Sequence, residues 1–151
     1  MHLEELFHSL CGLVSEILEA SIPIVGAMKG HAIGAGKTLL TATDYRFAAS
    51  GRVLLGMPEI KLGVPNPYFA EQLLRFLAGD SVAFALIYSD DLISVEQSLS
   101  MGLINPIHEK SEVEFAATEI AQTLARLPRL AFRHSKNQRK LLLRKHVNAD
   151  Q

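Results

Sequence analysis

The stretch IPIVGAMKGHAIGAGKTLLTATDYRFAA, residues 22–49, constrains the fold more than any other part of the chain. An apolar β run from Ser21 to Met28, with Pro23 near its start, leads into a glycine-rich turn. Proline lacks the amide a central strand must donate, so this strand is expected to begin at or near a sheet edge. The apolar run Lys37–Thr43 then has the length of two helical turns, and Tyr45–Ala49 reads as a second strand. Strands come first, with helices between and after them, which gives the α/β class.

The turn GHAIGAGKT, residues 30–38, resembles a phosphate-binding loop, and its spacing tests that reading. A Walker A loop is G-x-x-x-x-G-K-[ST]. Counting back from Gly36-Lys37-Thr38, the first glycine belongs at position 31, which is His31, and Gly30 stands one place too early. The extra residue redirects the amides, and Asp44 precedes its strand where a Walker B acid would follow one. Two readings remain. The glycines permit close helix–strand packing, or Gly34-Ala35-Gly36 points unpaired helix-start N–H groups at a negative oxygen.

Along the rest of the chain, Leu3, Leu6, Leu10, Val14, Ile17 and Leu18 recur at helical steps, which predicts a helix over residues 2–20. Ser50-Gly51 is a turn and Val53–Leu55 a short strand. Pro58, Gly63, Pro65 and Pro67 break regular structure, apart from Glu59–Leu62. Helices are expected over about 68–78, 80–88 and 94–101, a strand over 103–107, and two longer helices over about 111–126 and 128–146. Pro128 stands at a natural helix start.

A chain of 151 residues, 48% hydrophobic, suffices for one packed domain. Its apolar runs are far shorter than a membrane span, and MHLEELFHSL has no basic leader segment. A lone cysteine, Cys11, excludes a disulfide framework and fits a cytoplasmic or organelle-matrix protein. The six histidines show no metal-ligand spacing. Residues 126–145 hold eight of the fifteen basic residues and no acid. That run reads as a solvated helix face or as a surface for an anionic ligand. It lacks the aromatic interleaving and recognisable module of a nucleic-acid binder. Lys37 reads as a solvated helix residue or a phosphate contact, and Asp44 with Arg46 as a structural polar pair.

Four separated blocks fall in the order and spacing of one family. They are the glycine turn with its helix, Asp44-Tyr45-Arg46, Met57-Pro58-Glu59-Ile60-Lys61-Leu62-Gly63, and Leu92-Ile93-Ser94 through Met101-Gly102-Leu103-Ile104. In these the chain resembles the crotonase (enoyl-CoA hydratase/isomerase) superfamily. The resemblance implies a partial crotonase-type ββα spiral with C-terminal helices. It implies a single domain, residues 1–151, N-terminally truncated relative to the family. About 1–107 would be the spiral core portion and about 108–151 the C-terminal helical part.

The substrate it implies is an acyl-CoA thioester, with coenzyme A as part of the substrate and no separate cofactor. Two backbone amides hold the enolate oxygen in this family. The second falls at Ala35, beside Gly34, and the first lies upstream of the residues present. Of the two catalytic glutamates that hydratases carry, one position is Thr38 here and the other is Glu59. Neighbours Leu55, Met57, Val64 and Phe69 would desolvate Glu59, as suits a general base. Retaining only the second acid, with the apolar Gly63–Phe69 segment, resembles the isomerases. His31, Ile33, Gly36, Thr38, Pro58, Val64 and Phe69 would contact substrate. The family also implies a homo-oligomer, a trimer or hexamer. The alternatives are a hydratase, or a non-catalytic assembly module.

Overall fold

The computed structural model describes residues 2–89 and 91–149. Leu3–Glu19 (α1) leads to Val25–Met28 (β1), Ala32–Ile33 (β2) and Ala35–Ala42 (α2). Tyr45–Ala49 (β3) and Leu54–Gly56 (β4) follow, then a 3-10 turn over Pro58–Leu62. Tyr68–Ala78 (α3), Asp80–Tyr88 (α4), Ile93–Ser94 (β5), Val95–Ser100 (α5) and Ile107–His108 (β6) complete the core. Three helices end the chain: Val113–Ala125 (α6), Arg129–Arg139 (α7) and Leu141–Ala149 (α8).

β1, β3 and β6 form a parallel sheet in that order, with Val25 opposite Tyr45 and Ala48 opposite Ile107. Parallel neighbours need a crossover, and the segment containing α2 supplies it between β1 and β3. Among the described residues β1 lies at an edge of this sheet, where Pro23 can be accommodated. α6 packs on this sheet. Gly26 of β1 lies against α2, where a Cβ would meet Leu40 Cδ1 at 2.5 Å and Thr43 Oγ1 at 3.4 Å. A side chain at position 26 would therefore push the crossover helix off the sheet. A second small sheet has β4 parallel to β2 and antiparallel to β5.

The helix and strand boundaries follow the periodicities closely for α1, α3, α4 and β3, and three differences have physical causes. The strand expected over 103–107 is only Ile107–His108. Ahead of it, Asn105 stands in for ladder partners: Arg46 N donates to Asn105 Oδ1 at 2.8 Å, and Asn105 N to Arg46 O at 2.8 Å. β2 and β5 are two residues each, too short for any alternation to show. The helix expected over 128–146 breaks at Lys140 (φ −97°, ψ 8°). The break lets Leu143 and Val147 reach the core while the α7 end stays against Asp44. Leu3 and Leu6 extend the α1 stripe in sequence but are exposed, because the first turns of α1 overrun the core.

Candidate active site

The glycine turn is held at both ends. Gly34 caps α2 with φ 58° and ψ −123°, its N–H donates to Gly56 O at 2.9 Å, and its carbonyl accepts from Thr38 N at 3.0 Å. No side chain caps this helix, and no acceptor faces the amides of Ala35, Gly36 or Lys37 among the described residues. Ala35 and Gly36 are exposed. The turn therefore presents free donors at the positive end of a helix.

The second sheet brings an acid to this turn. Ile33 pairs with Gly56, so the residues following each strand, Gly34 and the start of the 3-10 turn, come out side by side. Pro58 opens that turn and Glu59 follows it. The carboxylate of Glu59 hangs over Gly34: a Cβ on Gly34 would lie 2.7 Å from Glu59 Oε1. The other oxygen, Oε2, is buried and has no hydrogen-bond partner. Leu55 and Met57, just before it, are fully buried.

The remaining expected positions separate. Ile33 and Gly36 flank the turn and are exposed, while Pro58 and Val64 are half-buried beside Glu59. His31 is exposed, and its Nδ1 accepts from Leu54 N at 3.1 Å, tying the turn to β4. His31 and Gly36 also line a groove of about 300 Å³ with Met28, Leu39 and Leu40. Phe69 is buried in the core on α3. Thr38 is buried, and its hydroxyl donates back to Gly34 O at 3.2 Å. A larger groove of about 640 Å³ runs between the β1 edge and α6, lined by Val25, Ala27, Ala117, Ala121, Leu127 and Phe132, and shares no residue with the Glu59 site.

Two expectations about charged groups are corrected. Lys37 is not solvated: it is 1% exposed, and burial pulls its ammonium from the usual 10.5 down to about 7, with Glu59 drawing it back up. The signal was in the sequence, since Lys37 shares a helical stripe with Leu40 and Thr41, both buried. Asp44 and Arg46 are structural but serve different partners. Asp44 takes Lys136 and Lys140, each at 2.7 Å. Arg46 Nε donates to Leu103 O and its Nη1 to Thr43 O. Two members of the basic run are therefore buried anchors, and not part of a solvated face.

A family model described as enoyl-CoA hydratase/isomerase matches residues 4–149. The chain belongs to the enoyl-CoA hydratase/isomerase family. Among its relatives is the crotonyl-CoA hydratase of Syntrophomonas wolfei, 32% identical over 131 residues, which span 86% of this chain and 50% of that protein. Enoyl-CoA delta isomerase 2 of Arabidopsis thaliana peroxisomes is 29% identical over 126 residues, 82% of this chain and 52% of that one. An enoyl-CoA hydratase from Mycobacterium marinum superposes with a TM-score of 0.91 at 25% identity, covering 97% of this chain and 65% of that structure. The architecture is thus that of the crotonase fold. The chain spans about half the length of the curated relatives it matches. Among the described residues, no helix is long and apolar enough to cross a membrane.

Proposed function

We propose that this site moves a double bond in an acyl-CoA thioester, converting 3-enoyl-CoA to 2-enoyl-CoA. The Glu59 carboxylate takes a proton from C2. The electrons pass to the thioester carbonyl, and the resulting enolate oxygen accepts a hydrogen bond from the Ala35 amide at the start of α2. Protonated Glu59 then returns its proton at C4 as the carbonyl re-forms. Proton and electrons balance within the substrate, so no cofactor enters, and coenzyme A is the substrate's handle.

One observation carries the reading. The Glu59 carboxylate overhangs the glycine turn, while Thr38 is bonded to the helix backbone by its own hydroxyl. Adding water across a double bond calls for one group to activate the water and another to deliver a proton to carbon. Moving a proton between two carbons of one substrate needs only one. The named relatives include both hydratases and isomerases, so the choice rests on this local chemistry. The same reading includes homo-oligomer assembly, supported by exposed Leu127, Leu130 and Leu142 on the C-terminal segment and checked by sedimentation velocity.

The test assays the chain, alone and together with any coding sequence upstream of it, on 3-enoyl-CoA and 2-enoyl-CoA. Isomerisation is expected, and Glu59→Gln should lower it by roughly 10²–10⁴-fold. Hydration without isomerisation, or an unchanged rate in the Gln variant, overturns the proposal.

A further inference from the structure

Lys37 lies on α2, in the helical turn whose amides the proposed chemistry uses, and has no part in that chemistry so far. Its side chain is 1% exposed, and its Nζ has no hydrogen-bond partner. Elsewhere this fold treats buried lysines differently. Lys136 donates to Ile22 O and Asp44, and Lys140 to Ala42 O and Asp44. Lys37 has neither a carbonyl nor a contact ion pair. Among the described residues, the charge whose field reaches it is that of Glu59, and Glu59 Oε2 is itself buried without a partner. Two groups of opposite charge, each unsatisfied, therefore stand within electrostatic reach at the same turn.

An unpaired buried amine is unfavourable, and an apolar chain of similar volume in its place is generally neutral or stabilising. Packing thus gives no reason for a lysine at position 37, whereas the chemistry of Glu59 does. A single-base mechanism needs that carboxylate ionised at the start of each turnover, in surroundings that include buried Leu55 and Met57. A second carboxylate nearby would oppose the charge, and an ammonium supports it.

We propose that Lys37 is a positioning residue for Glu59, its buried ammonium holding the carboxylate ionised above Gly34 while the C2 proton is taken. The inference rests on Glu59 being the base. The active couple is then carboxylate with ammonium, in place of the paired carboxylates used for hydration. The attraction is reciprocal: whatever Glu59 contributes to the Lys37 ammonium, Lys37 contributes to the Glu59 carboxylate. Burial moves Lys37 toward about 7, so its ammonium is present on the acid side of neutrality.

Two measurements test this, and they fail separately from the isomerase reading. The first follows the Lys37 side-chain nitrogen by ¹⁵N NMR against pH, its signal assigned by its loss in Lys37→Met. In Glu59→Gln the Lys37 midpoint should fall, by on the order of one unit for an opposite charge in a buried site. An unchanged midpoint overturns the coupling, whether or not the protein turns over substrate. The second measures kcat and KM for isomerisation against pH in Lys37→Met and Lys37→Arg. In the Met variant the acid limb should move up by the same amount, with KM nearly unchanged and the rate recovering at higher pH. The Arg variant should restore the limb. A loss of rate equal at every pH assigns Lys37 a purely structural role and overturns the proposal.

Discussion

Gly34 occupies a backbone conformation (φ 58°, ψ −123°) that side-chain-bearing residues rarely adopt, and the Glu59 carboxylate fills the space a side chain there would need. Gly34→Ala is therefore expected to cost about 1–3 kcal/mol in backbone strain and to push the carboxylate away from the Ala35 amide. Isomerase activity should fall by more than the change in melting temperature accounts for; an active, normally melting variant would contradict this placement. Lys37 gives a prediction of opposite sign. The unfolded chain holds the lysine proton to about 10.5 and the folded chain only to about 7. Protonation thus favours unfolding, with the penalty full below pH 7 and fading as pH rises to 10.5. Lys37→Met should stabilise the fold by roughly 3–5 kcal/mol at pH 6, and the gain should vanish in melts near pH 10.5. A variant that is more stable yet less active is the expected signature of a functional residue. Glycine spacing left the Gly34 turn open between a packing turn and a set of amide donors, and only the family's separated blocks pointed to the second. The burial of Lys37 was marked by the helical stripe it shares with Leu40 and Thr41, but its charge argued for solvent and outweighed that mark.

At the level of elements, one carboxylate fixes how the C-terminal helices meet the sheet. Asp44 precedes β3, accepts from Ile24 N at 2.8 Å, and binds Lys136 near the end of α7 and Lys140 at the break before α8. Burial pushes its carboxyl up, but the hydrogen bonds from Lys136 and Lys140, the Lys140 charge and the Ile24 amide outweigh that, and the net is below the usual 3.8. At Lys140 the balance reverses: burial outweighs the Asp44 attraction and brings it to about 8. A carboxylate held below its unfolded value contributes stability above pH 3.8 that is lost as pH falls through the lower folded value. Asp44→Asn leaves two buried ammoniums without their anion and should cost about 3–5 kcal/mol at neutral pH. The difference from the unsubstituted protein should shrink below pH 4; a constant difference in acid melts would refute the linkage. Periodicity located α1, α3 and α4 and gave the end of α7 no mark. No proline or glycine stands at 140, and the break follows from contacts with Asp44 and Ala42, nearly a hundred residues away along the chain. β2 and β4, the two- and three-residue strands that align Gly34 with Glu59, are too short to show a period, so the alignment of the site was legible only through the spacing of separated sequence blocks.

Over the whole molecule, the last helix is part of the core and not an appendage. α8 packs on both α1 and α3, and Leu143 and Val147 are among its buried side chains. Cys11 of α1 is 1% exposed, and its Sγ donates to Val147 O at 3.4 Å, a contact between residues 136 positions apart. The sequence marked α1 as an amphipathic helix without indicating what its apolar stripe would cover. The family's order of blocks gave the overall architecture, while the partnership of first and last helices arises only when the chain closes on itself. A chain closed in this way is expected to open as one unit, so damage at one end should be felt at the other. Leu143→Ala removes a buried side chain of α8 and is expected to cost about 2–5 kcal/mol. Because α8 covers Cys11, the same substitution should speed the reaction of that thiol with a soluble disulfide reagent under native conditions. The increase should match the lost stability when labelling proceeds through opening of the fold. If Leu143→Ala melted as expected but left Cys11 labelling unchanged, the two ends would be opening independently, and the terminal helices would not form one cooperative unit.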